Sequence, residues 1–100
     1  MNIEEQVTYP YQISKTTFCK YVLSTPNKDI HLNFPQMLEL RRKINDLTSL
    51  NALENIVNTD NFVLLFVADR QHLLYLDIPQ LLRLRDEIMV LFHAPSISYV

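Results

Sequence analysis

The chain has 100 residues, 48% of them hydrophobic and 20% charged, and a formal net charge of −2; this composition suits one compact domain with its own core rather than a disordered chain. Glycine is absent, which removes phosphate-cradling loops and dinucleotide turns, because both need backbone at positive φ or in close approach to the ligand. Cys19 is the single cysteine, so neither a disulfide framework nor a cysteine-based zinc site can form within one chain, and a buried apolar thiol is its expected state.

In chain order, "MNIEEQVTYP" is acidic and polar where a secretory signal would be basic and then apolar. No apolar run approaches the roughly 18 residues that a bilayer span needs. The expectation is a cytoplasmic protein with no membrane contact. Residues 1–16 read as an N-terminal arm, with "VTYPYQISKTT" either free or extending the first strand. Residues 17–60 form a first unit: a strand in "TFCKYVLS", a tight turn at Pro26 and Asn27, a strand in "DIHLNF", a helix, and a connector. In the connector, Leu50, Leu53, Ile56 and Val57 suggest a helical continuation or a second short helix before a polar turn at Asn58 to Asn61. Residues 61–94 repeat the plan, with strands in "NFVLLFVA" and "HLLYLDI" around the break "ADRQ", then a second helix. Pro95 ends that helix, and residues 95–100 are a short tail.

The two units are alike in sequence. "FPQMLELRRKI" at Phe34 returns as "IPQLLRLRDEI" at Ile78, and a shift of 44 aligns residues 18–48 with 62–92 without a gap. Phe18 falls on Phe62, Leu32 on Leu76, Pro35 on Pro79, Gln36 on Gln80 and Arg41 on Arg85. Duplication of a β-β-α unit is the economical explanation. Asn33 and Asp77 stand three residues before Gln36 and Gln80, the spacing of a helix-capping box, and Pro35 and Pro79 fit a first turn whose N–H groups have no helical acceptor. In the helices, Met37, Leu40, Ile44 and Leu47, and again Leu81, Leu84, Ile88 and Leu91, recur every three or four residues and give each one apolar stripe.

Two such units predict an α+β fold: one four-stranded antiparallel sheet with both helices on one face. "DIHLNF" alternates polar and apolar residues whereas "FVLLFV" is apolar throughout, so the first strand of each unit belongs in the middle. With the four expected strands counted in chain order, the spatial order is 2-1-3-4. A turn about Pro26 and Asn27 makes Tyr21 face Leu32 and Leu23 face Ile30. The helix-covered face then holds Cys19, Tyr21, Leu23, Ile30 and Leu32, and in the second unit Val63, Leu65, Val67, Leu74 and Leu76. The other face carries Phe18, Lys20, Val22, His31 and Asn33 in the first unit and Phe62, Leu64, Phe66, Leu73 and Tyr75 in the second.

That second set is too apolar to leave in water, since each such side chain gains about 1.5–3 kcal/mol on full burial. A homodimer with sheets packed face to face is the expected cover, with interface residues Phe62, Leu64, Phe66, Leu73 and Tyr75 joined by Phe18 and Val22. The N-terminal arm with Tyr9 and Tyr11, or the C-terminal tail, competes for the same surface. The expected function is a non-catalytic protein–protein interaction module. One alternative is a small-molecule sensor or enzyme with a pocket between sheet, arm and partner; another, weaker for want of a basic groove, is a single-strand nucleic-acid binder stacking bases on Phe66 and Tyr75 beside Lys20. His31, His72 and His93 show no metal-ligand spacing, Cys19 and His31 fall on opposite sheet faces, and the acids form no close pair, so no catalytic residue, metal or cofactor is expected.

Overall fold

The computed structural model describes residues 11–93. It is an α+β structure with the order β1 (Gln12–Thr17), β2 (Lys20–Ser24), β3 (Asp29–Asn33), α1 (Phe34–Leu47), α2 (Leu50–Asn58), β4 (Phe62–Val67), β5 (His72–Asp77) and α3 (Ile78–His93). All strand pairs are antiparallel. Each of the two aligned segments forms a hairpin followed by a helix, β2-β3-α1 and β4-β5-α3, and the connector forms α2.

The strands divide into a three-stranded sheet, β1-β2-β3, and a two-stranded one, β4-β5. The continuous four-stranded sheet in the order 2-1-3-4 is not formed, because the edge of β2 meant for β4 is taken by β1. Residues assigned to an arm therefore supply a strand. Within it only Ile13 is buried, just after the buried Tyr11. The run "TFCKYVLS" is not one strand: Phe18 and Cys19 make the turn from β1 to β2, with a bulge between Lys15 and Thr17 in the pairing. Cys19 consequently leaves the expected helix-covered face and is half-buried in that turn at φ 61°.

The hairpin turns behave differently. In the first, Thr25 N–H donates to the Lys28 carbonyl across Pro26 and Asn27, and Tyr21 faces Leu32 and Leu23 faces Ile30. In the second, Phe66 faces Leu73 rather than Tyr75, its partner by the 44-residue correspondence. The slip is two residues, which preserves side-chain parity and leaves the same residues on each face. Leu65, Val67, Leu74 and Leu76 are accordingly buried. The turn takes three successive left-handed residues, Ala68, Asp69 and Arg70, at φ 56°, 58° and 71°; with no glycine available, each carries the steric cost of its Cβ.

The strand interiors and the helix stripes share one core, whose most deeply buried members include Leu23, Ile30, Met37, Leu40, Ile44, Leu76, Leu81 and Leu84. α1 packs on β2 and β3, α3 packs on β1 and β5, and the two helices touch. Tyr21 stacks between Phe34 and Phe92, with ring centroids 6.4 Å from each, and the Arg41 guanidinium lies 4.6 Å from the centre of the Phe92 ring. At the start of α1, Asn33 Oδ1 accepts from the Gln36 N–H while Gln36 Oε1 accepts from the Asn33 N–H, both at 2.9 Å. Asp77 and Gln80 exchange the same pair of bonds at 2.9 and 3.0 Å. Ser49 caps α2 through the Ala52 N–H, which separates α2 from α1.

Candidate self-association surface

β4 and β5 expose to one side the residues that alternate with their buried ones. Leu64 is 58% exposed, Phe66 41%, Leu73 50% and Tyr75 53%, and Phe62, half-buried, stacks on Tyr75 with centroids 4.6 Å apart. At roughly half exposure each, the four most exposed of these offer about 400 Å² of largely apolar surface, within the range of the largest patch on a typical monomer, which is often functional. The Arg70 guanidinium lies over the Phe66 ring at 5.2 Å and marks one end of the patch.

The two residues expected to join this surface from the first unit do not. Phe18 is 83% exposed but stands at the tip of the β1–β2 turn, and Val22 is half-buried in the middle of the three-stranded sheet, between Ser14 and His31. The outward side of that sheet carries Lys20, His31 and Asn33, all exposed. Of the two sheets, the β4–β5 hairpin is therefore the one with the apolar outward face among the described residues. Tyr11, one candidate to cover it, is instead buried, and its hydroxyl donates to the Tyr75 carbonyl at 3.1 Å, joining the chain just before β1 to β5. Burial, and then the negative charge of Asp77, raise the Tyr11 phenol above its ordinary value of 10.0. Tyr9 and the tail at 95–100 lie outside the described residues.

Two further contacts tie the hairpin to the rest of the chain. Lys43 Nζ donates to the Phe66 carbonyl at 3.1 Å, and Gln36 Nε2, from the cap of α1, donates to Asp69 in the β4–β5 turn at 2.7 Å. A cavity of about 560 Å³ lies there, lined by Gln36, Glu39, Lys43, Phe66, Asp69 and Arg70 among others. Its charges balance. Glu39 is held below the usual carboxylate range by its hydrogen bonds to Arg42, in an exposed network that also includes Asp46. A second cavity of about 370 Å³ lies between Ile13 of β1 and Arg83, Glu87 and Val90 of α3.

Lys28 Nζ donates to His72 Nδ1 at 2.9 Å, linking the β2–β3 turn to the start of β5. His31 points outward from β3. Among the described residues, no three of His, Cys, Asp and Glu converge as metal ligands, and no helix is long and apolar enough to cross a membrane. The feature that the sequence did not reveal is the unpaired outer edge of β4, since its detection requires knowing which strand pairs with β2. No family model matches the sequence, and neither a curated protein nor a solved structure matches it.

Proposed function

We propose that the chain is a small non-catalytic interaction module of the cytoplasm that self-associates as a homodimer through the β4–β5 hairpin. One observation carries this reading: Leu64, Phe66, Leu73 and Tyr75 are exposed together on one side of a single hairpin, while the equivalent side of the other sheet is polar. Water disfavours such a patch, and a two-fold contact between identical copies is the commonest way to remove it. Absolute mass by light scattering across a dilution series tests the proposal. A two-fold mass that falls to the monomer value on dilution is the expected result, and a monomer at every concentration rejects it.

The cavity beside Lys43, Arg70, Glu39 and Asp69 favours one competing reading, a site for a small zwitterionic ligand with an apolar part that could lie on Phe66. Native mass spectrometry of gently purified protein distinguishes the two, because a retained small molecule would point to the cavity.

A further inference from the structure

The outer edge of β4 pairs with no strand among the described residues. The Asp77 N–H donates to Gln80 Oε1, so it does not face Phe62, its partner across the hairpin. The Phe62–Asp77, Leu64–Tyr75 and Phe66–Leu73 pairs are then the ones that make no ladder bonds, and the backbone groups of Phe62, Leu64 and Phe66 point away from β5. The contacts agree: Tyr75 O accepts from Tyr11 on the β5 side, and Phe66 O from Lys43 on the β4 side. By this alternation the N–H and carbonyl of Leu64 face the outer edge of β4 rather than Tyr75. Natural edges are usually blunted by charge or proline. β3 fits that rule with Asp29 and His31 on its outward positions, whereas β4 reads "FVLLFV" without a charge or a proline.

From this we infer that β4 pairs with β4 of a second copy, antiparallel about a two-fold axis at Leu64, so that the two hairpins form one sheet in the order β5-β4-β4-β5. This rests on the self-association proposed above and gives it a geometry. The strand is close to a palindrome: with Leu64 opposite Leu64 of the other copy, Phe62 faces Phe66 on the outward side and Val63 faces Leu65 on the core side. Leu64 exchanges both backbone bonds with its counterpart, and the Phe66 carbonyl accepts from Phe62 while its second lone pair keeps Lys43. Charge fits too. The exposed Asp60 before β4 and the exposed Arg70 after it are brought end to end with the opposite charge of the partner.

Light scattering and analytical ultracentrifugation of the whole chain and two variants test the geometry. Leu64→Pro deletes the outward N–H without touching the ladder to β5, and Leu73→Ser changes the outward face on β5, away from the edge. The expected result is a wild-type dimer, loss of the dimer in Leu64→Pro with the native circular dichroism kept, and a dimer constant within about tenfold of wild type in Leu73→Ser. A dimer that survives Leu64→Pro and is lost in Leu73→Ser overturns edge pairing while leaving self-association standing. A wild-type monomer at every concentration overturns both. Should Leu64→Pro fail to fold, amide exchange of the wild-type dimer decides: the Leu64 N–H gains protection with protein concentration if the edge pairs, and its lack of protection in a dimer of proven mass refutes the pairing.

Discussion

Tyr11→Phe isolates the bond that ties the chain just before β1 to β5. The Tyr11 ring is only 7% exposed, and its hydroxyl donates to the Tyr75 carbonyl at 3.1 Å, so the variant keeps the packing and removes one neutral hydrogen bond from a partly buried acceptor. Such a loss costs about 1 kcal/mol, within a range of roughly 0.5–1.5. For a domain of this size that lowers the melting temperature by about 4–8 °C per kcal/mol. The readout is thermal and urea unfolding at pH 7 by circular dichroism. The pH dependence gives an independent check. Burial and the Asp77 charge raise the folded-state pKa of Tyr11 above 10.0, so its folded state holds the phenolic proton more tightly than the unfolded chain. The corresponding stability is fully present below pH 10 and is lost as pH rises from there through the raised folded value. The wild type should therefore lead the phenylalanine variant at neutral pH and lose that lead in alkali. Equal melting at pH 7, or a lead that persists unchanged well above pH 10, would refute the argument.

Leu76 is fully buried near the end of β5, and Leu76→Ala should destabilise by about 2–5 kcal/mol through lost burial and a residual cavity, measured by urea unfolding. Asn33→Ala removes the side chain that caps α1 and should cost about 1 kcal/mol in the same assay, whereas Asn33→Ser should recover most of it. Cys19→Gly relieves a left-handed residue at φ 61° and should raise stability by about 0.5–1 kcal/mol after the added unfolded-state entropy is counted. Phe66→Ala should weaken self-association in a dilution series, while His31→Ala, on the polar outward side of β3, should change neither mass nor melting temperature; the reverse ranking would reject the assignment of faces.

What could be read in advance follows from how locally each feature is determined. The register of the β2–β3 hairpin is set by Pro26 and Asn27 between two short runs, and Tyr21 does face Leu32. The β4–β5 register was off by two residues because "ADRQ" lacks a strong turn signal and its left-handed run at Ala68, Asp69 and Arg70 could not be anticipated from those residue types. Parity survived the slip, so the inward set of Leu65, Leu74 and Leu76 was still legible. β1 was not. Only Ile13 is buried within "QISKTT", which leaves no alternating pattern, and its turn at Phe18 and Cys19 uses neither glycine nor asparagine. The sheet order depends on the same strand: without β1, the edge of β2 is open to β4. Apolarity on both faces of "FVLLFV" points to burial within a central strand, yet pattern alone does not distinguish a side that is covered within the chain from one that is exposed.

The two hairpins, aligned by their shared sequence, differ where their surroundings differ. On the outward side, Lys20 of β2 corresponds to Leu64 of β4, Val22 to Phe66, Asp29 to Leu73 and His31 to Tyr75. The inward positions keep their character, with Tyr21 matching Leu65 and Leu32 matching Leu76, all buried. Selection for a common core explains the second set and has no bearing on the first. The edges account for it. β2 has a strand on both sides, and an outward face of lysine, aspartate and histidine suits water. β4 has a strand on one side only, and there the outward residues become large and apolar. An open edge and an apolar face occurring on the same strand, and neither occurring on its counterpart, is the pattern expected if β4 is completed from outside the chain. A strand merely tolerated at an edge would carry the charges that β3 carries.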